Sequence, residues 1–326
     1  MTTPLVSVVI PTYQRCASVQ RAIEALATQT LAPDAYEVVV AIDGSEDGTR
    51  EMLAAQRVAF CLRSLWHPNR GRAAACNAGV GASRGSLVVL LDDDMVATPG
   101  LLSAHLEAHP SAGDPSAKRA VIGAAPIVPS RSSPLTSFLA ARFQERLETL
   151  ARPGRVPRFN EAYTGNFSLA RATFLEMGGF DESFRAYGHE DYELVLRLIK
   201  AGGELVFSPA AVAYQHQEKD FPALARDAMA RGKTAVLFAS KHPEVAAQLK
   251  LGAFDSDTRK WRRLRGVMLA LTGVFPDLPR VVIALISTLE RRPPRRLDRY
   301  YTMALDYFYW VGARTALRLR GPVPGR

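Results

Sequence analysis

Five aliphatic residues in succession, Leu87 to Leu91, run straight into three carboxylates, Asp92, Asp93 and Asp94. An unbroken apolar run of this length is the pattern of a strand buried on both faces. Unpaired ionised groups are very costly inside a core, so the chain has to leave the core at Asp92. In open parallel sheets, ligands bind at the carboxyl ends of the strands. Three anions crowded there repel one another unless a cation sits among them. Magnesium and manganese suit carboxylate oxygens and keep part of their coordination shell for phosphate. The triple Asp therefore points to a buried-strand fold with a metal–diphosphate site at one sheet edge.

The surrounding residues supply the rest of such a sheet. Leu5 to Ile10 is a compact apolar run closed by Pro11, hence a first strand. Val19, Ile23 and Leu26 follow at i, i+4 and i+7, the spacing of one helical face. Glu37 to Ile42 predicts a second strand, ending in the turn and helix-start signal Asp43-Gly44-Ser45-Glu46-Asp47-Gly48. Val58 to Leu62 reads as a third strand and the Ala-rich stretch Arg72 to Ala82 as a helix. Strands alternating with helices imply βαβ units, so the expected class is α/β, a doubly wound, mostly parallel, Rossmann-like sheet.

Further along, Pro99 to His109 predicts a helix, Asp114 to Lys118 a surface loop, Ala120 to Val128 a strand and Leu135 to Leu150 an amphipathic helix. Arg152 to Asn160, rich in Pro, Gly and Arg, reads as a mobile loop over the site. Short helices are expected at Arg171 to Met177 and at Tyr192 to Lys200, the latter stopped by Gly202-Gly203, with a short strand from Glu204 to Phe207 before Pro209.

Length predicts about two domains of roughly 150 residues. Composition places the boundary. From Asp257 to Arg326 there are fifteen Lys or Arg against five acids, so that tail carries +10 and the rest of the chain −1, which together give the net charge of +9. The expected division is a catalytic part at 1–256, with a nucleotide-binding half to about 110 and an acceptor half after it, and a helical tail at 257–326. Val267 to Phe275 and Val281 to Leu289 are apolar runs of about nine residues flanked by arginines, short of the ~20 needed to cross a bilayer. Basic and aromatic segments of this kind suit an anionic membrane surface. No nucleic-acid-binding motif accompanies the charge. Cys16, Cys61 and Cys76 are too few and too dispersed for a disulfide framework or a zinc site, which fits a reducing cytosol. The first residues lack the basic-then-apolar pattern of a signal peptide, so the expected location is cytoplasmic, peripheral at the inner face of the cell membrane.

Each candidate site residue has an ordinary reading when taken alone. Asp43 is a common turn former, Asp191 in Gly188-His189-Glu190-Asp191 can simply cap a helix, and His216 can be a structural histidine. Their order in the chain changes this. Strands one, two and four end at one edge, which gathers Pro11 to Arg15, Asp43 and Asp92 to Asp94. The chain there resembles a family 2 glycosyltransferase of the A-type glycosyltransferase fold. The matching pieces are Val8-Val9-Ile10-Pro11-Thr12-Tyr13, Val40-Ala41-Ile42-Asp43-Gly44-Ser45, Asn69 with Gly71, Asn77 and Gly79, and Leu91-Asp92-Asp93-Asp94. Gly165-Asn166-Phe167-Ser168, Gly178-Gly179-Phe180-Asp181-Glu182 and Gly188 to Leu194 follow in family order, so the likeness covers about residues 5 to 216.

That resemblance implies a nucleotide-diphospho-sugar donor, inversion at the anomeric carbon and a divalent cation, Mg2+ or Mn2+. It implies that Pro11, Thr12, Tyr13 and Arg15 line the nucleoside pocket together with Asn77, and that Asp43 accepts a hydrogen bond from the base, usually uracil. Asp92 and Asp94 form the Asp-x-Asp motif. By the same resemblance Asp94 is expected as the direct metal ligand, supported by Asp92 and His216, with Asp93 facing the donor. Asp191 matches the catalytic base, with Glu190 beside it, and Gly165, Asn166 and Glu190 are expected to face the acceptor. The start of a helix suits a carboxylate in that role. Two departures stand out. Many relatives carry a basic residue where this chain has Cys76, and Arg72 is the candidate substitute. A second histidine often stands where this chain has Tyr214. The expected partners are a nucleotide-diphospho-sugar, a glycan or lipid-linked acceptor and a membrane surface met through 257–326, with no nucleic acid. A catalytically silent nucleotide-sugar-binding module is the alternative. A nucleotidyltransferase would favour a Gly-rich phosphate loop, and Pro11 to Ala17 contains no glycine.

Overall fold

The structure is a computed structural model that describes residues 3–110, 118–129, 133–249 and 259–320. The elements in chain order are β1 (Val6–Thr12), α1 (Cys16–Leu26), β2 (Tyr36–Asp43), α2 (Thr49–Ala55), β3 (Cys61–His67) and α3 (Arg72–Ala82). They continue with β4 (Leu87–Leu91), β5 (Met95–Ala97), α4 (Leu101–Ala108), β6 (Arg119–Ala124), α5 (Pro134–Leu150), β7 (Asn166–Ala170) and α6 (Arg171–Glu176). Last come α7 (Glu190–Lys200), β8 (Glu204–Gln215), α8 (Phe221–Lys241), α9 (Arg259–Val274), α10 (Leu278–Arg291) and α11 (Leu297–Arg320). They form two compact units, one of Met1–Val128, Ala140–Arg185 and Glu190–Gln217, the other of Pro129–Leu139, Ala186–His189 and Glu218–Arg326.

The first unit holds one sheet, of eight strands among the described residues, in the order β3-β2-β1-β4-β7-β6-β8-β5. The stretch β3-β2-β1-β4 is parallel throughout, and β6 pairs with β8 in parallel, whereas β7 runs against both β4 and β6 and β5 runs against β8. The expected mostly parallel α/β architecture is therefore present, with antiparallel joints in its second half. β1, β2 and β4 are buried along their whole length, as the apolar runs Val8 to Ile10, Val38 to Ile42 and Leu87 to Leu91 require. α3 lies close on this sheet because its face is small: a methyl at Gly79 would collide with Val9.

Three expectations shift. The third strand begins at Cys61, beyond the expected start at Val58, and runs to His67 at the sheet edge, where Cys61, Ser64 and Trp66 are exposed and the apolar signal is weak. β8 does not stop before Pro209. The β6–β8 register jumps from Gly123 opposite Ser208 to Ala124 opposite Val212, so Pro209, which has no N–H to donate, sits in a bulge and the strand resumes to Gln215. The loop expected to be mobile at Arg152 to Asn160 is braced instead. The Glu161 carboxylate accepts the Arg158 N–H at 2.8 Å and pairs with Arg155, while Arg146 donates to the Glu161 carbonyl. The surface loop expected from Asp114 lies outside the described residues up to 117.

Two histidines lock α4 onto β7. His105 Nδ1 and His109 Nε2 each lie 2.8 Å from Ser168 Oγ, and His105 Nε2 lies 2.9 Å from Asn166 Oδ1. Burial pushes both imidazoles down to about 4, with the Asn166 bond opposing it at His105 and the His105 ring and Arg119 adding to it at His109. Below pH ~6.5 the unfolded chain takes up protons that the folded chain refuses, so this contribution to stability is lost as the pH falls. Relative to the native chain, His109→Gln should gain about 1–2 kcal/mol of unfolding free energy between pH ~7 and ~5. Denaturant unfolding at the two pH values checks this, and a pH-independent difference would refute it.

The second unit is helical in its described parts. α8 and α11 cross where both are glycine: a methyl at Gly232 would run into the Tyr309 carbonyl, and one at Gly312 into the Met229 carbonyl. Phe221, Tyr301, Tyr307 and Phe308 are fully buried around this crossing, and Val282 and Ile286 of α10 join the same core. The apolar runs at Val267 and Val281 fall in α9 and α10, and the aromatic residues Tyr300, Tyr301, Tyr307, Phe308, Tyr309 and Trp310 fall in α11.

Candidate active site

The parallel register brings Thr12 beside Ile42 and the end of β4 alongside β1, so the carboxyl ends of β1, β2 and β4 share one edge. The loops leaving them are tied together. Gln14, in left-handed backbone at φ 55°, donates its N–H to Ser45 Oγ at 2.8 Å, and the Cys16 N–H donates to Asp47 Oδ2 at 2.8 Å. Held this way, Thr12 Oγ1 donates to Asp93 Oδ2 at 2.8 Å, and Arg15 Nη1 lies 3.1 Å from Asp93 Oδ1 and 3.4 Å from Asp94 Oδ2. Asp93 and Asp94 are both buried. Burial pushes Asp93 up to about 7 against the pull of Arg15 and Thr12, with Asp94 and Asp92 adding to the rise.

Arg72, the first residue of α3, is the centre of the site. Its Nε and Nη2 donate to Asp92 Oδ1 at 3.1 and 2.7 Å, and its Nη1 donates to Thr164 Oγ1 at 2.9 Å and to Asp191 Oδ1 at 3.4 Å. Glu190 Oε1 lies 3.9 Å from the same nitrogen, and the guanidinium carbon sits 5.8 Å from the Phe180 ring centroid. Burial alone would favour the neutral side chain, but Asp92, Asp191 and Glu190 outweigh it and hold Arg72 more firmly protonated than an ordinary arginine. The Thr164 hydroxyl donates to Asp191 Oδ1, so two donors fix that carboxylate while it stays partly open to solvent. Glu190 is buried, and its Oε2 has no hydrogen-bond partner. Burial raises its pKa well above the ordinary carboxylate range, the neighbouring Asp191 raises it further, and Arg72 opposes both. His189, just before it, has left-handed backbone at φ 72°, a conformation non-glycine residues adopt where neighbouring structure over-determines them. Cys76 is one turn along α3 from Arg72, fully buried, with its thiol pushed up to about 12 by burial, so it is inert.

Several residues expected at the ligand are spent on the scaffold. Asp43 accepts the Arg70 and Gly71 N–H groups at 2.7 and 2.9 Å and lies 3.3 Å from His67 Nδ1, which anchors the turn before α3. Asn77 clasps another turn: it accepts the Phe180 N–H at 2.8 Å and donates to the Phe180 carbonyl at 2.9 Å and to Glu182 at 3.1 Å. Asn166 is fully buried and donates to the Ala124 and Ala211 carbonyls at 2.9 Å each, so it joins β6, β7 and β8 and cannot face an acceptor. Gly165 backs Asp92: its carbonyl accepts the Asp92 N–H at 2.9 Å, and a side chain there would strike the Asp92 carboxylate. Tyr13 presents a half-exposed ring at this edge, while Pro11 is buried. Thr164 and Gln215, whose Nε2 lies 3.4 Å from Asp94 Oδ2, were not legible as site residues. The signal for Arg72 was its spacing: four residues before Cys76 on one helical face, where a cation reaches the same place.

For a metal the arrangement is narrower than Asp94, Asp92 and His216 together. Asp92 is turned to Arg72, and among the described residues no three His, Cys, Asp or Glu side chains cluster as ligands. Asp94 and His216 do meet, the His216 N–H donating to the Asp94 carbonyl at 2.9 Å because β5 and β8 pair there. That contact is between main chains, and the buried Asp94 carboxylate is an oxygen donor of the kind that Mn2+ or Mg2+ accepts when phosphate oxygens complete the shell.

The Glycosyl transferase family 2 model matches residues 7–157 and the Glycosyltransferase like family 2 model matches 136–245, so between them they cover the chain from 7 to 245. A curated relative, validoxylamine A glucosyltransferase of Streptomyces hygroscopicus subsp. limoneus, is 34% identical over 220 residues, covering 60% of this chain and 48% of the relative. The chain thus spans about half the length of the curated relatives it matches first. Among solved structures, a mannosyltransferase from Pyrobaculum calidifontis in complex with GDP-Man and Mn2+ superposes with a TM-score of 0.63 at 19% identity, over 97% of this chain and 88% of that one. The S. aureus TarS 1-349 complex with UDP-GlcNAc gives 0.51 at 15% identity, over 97% and 92%. These likenesses show the A-type glycosyltransferase fold, and with the two models they lead to one assignment: the chain belongs to glycosyltransferase family 2.

Proposed function

We propose that this chain is an inverting glycosyltransferase that moves a sugar from a nucleotide-diphospho-sugar, a UDP-sugar as the expected donor, to a hydroxyl of a glycan, a lipid-linked sugar or a glycolipid. The observation that carries the reading is the Arg72 junction. One guanidinium reaches both the acid at the end of β4, on the diphosphate side, and the acid at the start of α7, on the acceptor side. A displacement needs its base and its leaving-group site held at a fixed short separation, and this junction holds them. The donor complexes of the two structural neighbours and the glucosyltransferase named among the relatives support the same substrate class.

In this mechanism the acceptor hydroxyl gives its proton to Asp191 as its oxygen bonds to the anomeric carbon. The bond from that carbon to the diphosphate breaks, and its electron pair leaves with the diphosphate. The centre inverts once and no covalent bond to the protein forms. Thr164 and Arg72 orient the Asp191 carboxylate throughout. Thr12 and Arg15 fix Asp93 toward the donor, and Asp43 positions the turn beside the nucleoside. Asp94 and His216 are the residues that would hold a divalent cation, which when bound stabilises the charge growing on the diphosphate. The same reading includes peripheral contact with the cytosolic face of a membrane through residues 257–326 and a catalytic part at 1–256.

A panel of UDP-, GDP- and dTDP-sugars, each with and without Mn2+ or Mg2+, tests this by thermal stabilisation and by slow hydrolysis of the donor. Stabilisation and hydrolysis by one donor class are expected, and Asp94→Ala should remove the divalent-ion dependence of both. Stabilisation without any turnover would favour the silent binding module. No stabilisation by any donor would overturn the reading.

A further inference from the structure

The outward faces of α9 and α10 are apolar. On α9, Leu264, Val267, Leu271 and Val274 recur at i, i+3, i+7 and i+10, one helical stripe, and they are 41–71% exposed. Phe275 extends the stripe into the turn. On α10, Val281 and Leu285 are more than half exposed, while the next residue after each, Val282 and Ile286, is buried. α10 therefore carries two apolar faces, and the core of its unit uses one of them. Of the seventeen large apolar side chains exposed among the described residues, seven lie between 264 and 285. Scattered exposed hydrophobics need no explanation, but a concentration of this kind marks an interaction surface.

Charge selects the partner. Residues 259–299 hold eleven Lys or Arg against three acids, and Arg262, Arg263, Arg280, Arg291 and Arg292 are exposed along these helices. A second copy docking on this face would bring two basic rims together, whereas a bilayer surface offers lipid tails to the apolar stripe and phosphates to the guanidinium groups. No helix among the described residues is long and apolar enough to cross a membrane, so the contact lies in the interface and does not span it.

We propose that α9 and α10 dock the chain on an anionic lipid bilayer, with Val267, Leu271, Val274 and Phe275 entering the boundary between headgroups and acyl chains. The proposal deepens the membrane part of the function above, and it is tested without donor or acceptor, so the two can fail separately. The test is flotation of the full chain with vesicles of phosphatidylcholine alone or mixed with phosphatidylglycerol, at low and high salt. Binding to the mixed vesicles alone is expected, weakened by salt. Val274→Asp with Phe275→Asp, both exposed and outside any described core, should lower binding by at least about tenfold with thermal unfolding unchanged, and Arg262→Gln with Arg263→Gln should flatten the salt dependence. Equal binding of the acidic pair to the mixed vesicles would overturn the proposal. So would an absence of vesicle binding, whether the chain stays monomeric or forms a dimer in solution that Val274→Asp with Phe275→Asp dissociates.

Discussion

Asp191→Asn should lower sugar transfer by at least about a thousandfold while nucleotide-sugar affinity changes by less than about threefold. Asparagine has the shape of aspartate and keeps an oxygen where the Thr164 hydroxyl and Arg72 Nη1 donate, so the hydrogen-bonded frame survives. What it removes is the capacity to take a proton from the acceptor. A general base contributes about 10²–10⁴ to the rate, which sets the size of the loss. Single-turnover transfer measured beside calorimetric donor binding separates the two quantities. Turnover within about tenfold of the native chain would shift the base assignment away from Asp191. Glu190, buried next to it with its pKa raised to about 7, close to what a general base needs at neutral pH, is then the residue to test as Glu190→Gln.

The second large effect is expected at Arg72. Arg72→Met keeps much of the length and packing on Phe180 but withdraws the positive charge shared by Asp92, Asp191 and Glu190. Removing one partner of a buried ionic cluster commonly costs ~3–5 kcal/mol; Arg72 is about a quarter open to solvent, so a loss of about 2 kcal/mol is expected. Transfer should fall by about a hundredfold or more, because the carboxylates at the ends of β4 and α7 lose the group that spaces them. Arg72→Lys should recover only part, since an ammonium cannot fork to Asp92 and Thr164 together. Cys76→Arg placed in the Arg72→Met background puts a cation one turn along the same face, and it should restore activity more than stability. Full activity in Arg72→Met would refute the junction.

How legible was all this beforehand? The apolar runs of β1, β2 and β4 and the Asp triplet announced the sheet and its functional edge, because burial on both faces leaves a strong, short-range signature. β7 and β5 left no such mark. β7 opens on Asn166, whose amide is needed as a cross-link, and β5 is three residues long. Positions at a strand end or a helix start, such as those of Asp93 and Asp191, were readable. Asn77 and Asn166 were misplaced because a polar side chain in a motif can serve the ligand or the backbone with equal local chemistry. Only the fold shows the amide already bonded to Phe180 or to the Ala124 and Ala211 carbonyls. Arg72 needed three dimensions for another reason: its partners lie 20, 92 and 119 positions away in the chain.

The glycine crossing of α8 and α11 bears on how the chain is made. Gly232 and Gly312 stand 80 positions apart, so the ribosome releases α8 well before its mate exists. During that interval Phe221 and Ala225, which end fully buried, have only part of their cover. Closing so long a loop is entropically slow to begin, while each glycine weakens its own helix by about 1 kcal/mol until the backbones meet. The helical unit is therefore the late-maturing part of the chain. A nascent product halted between the two helices would offer chaperones an unpaired α8, with the eight described strands of the sheet already synthesised.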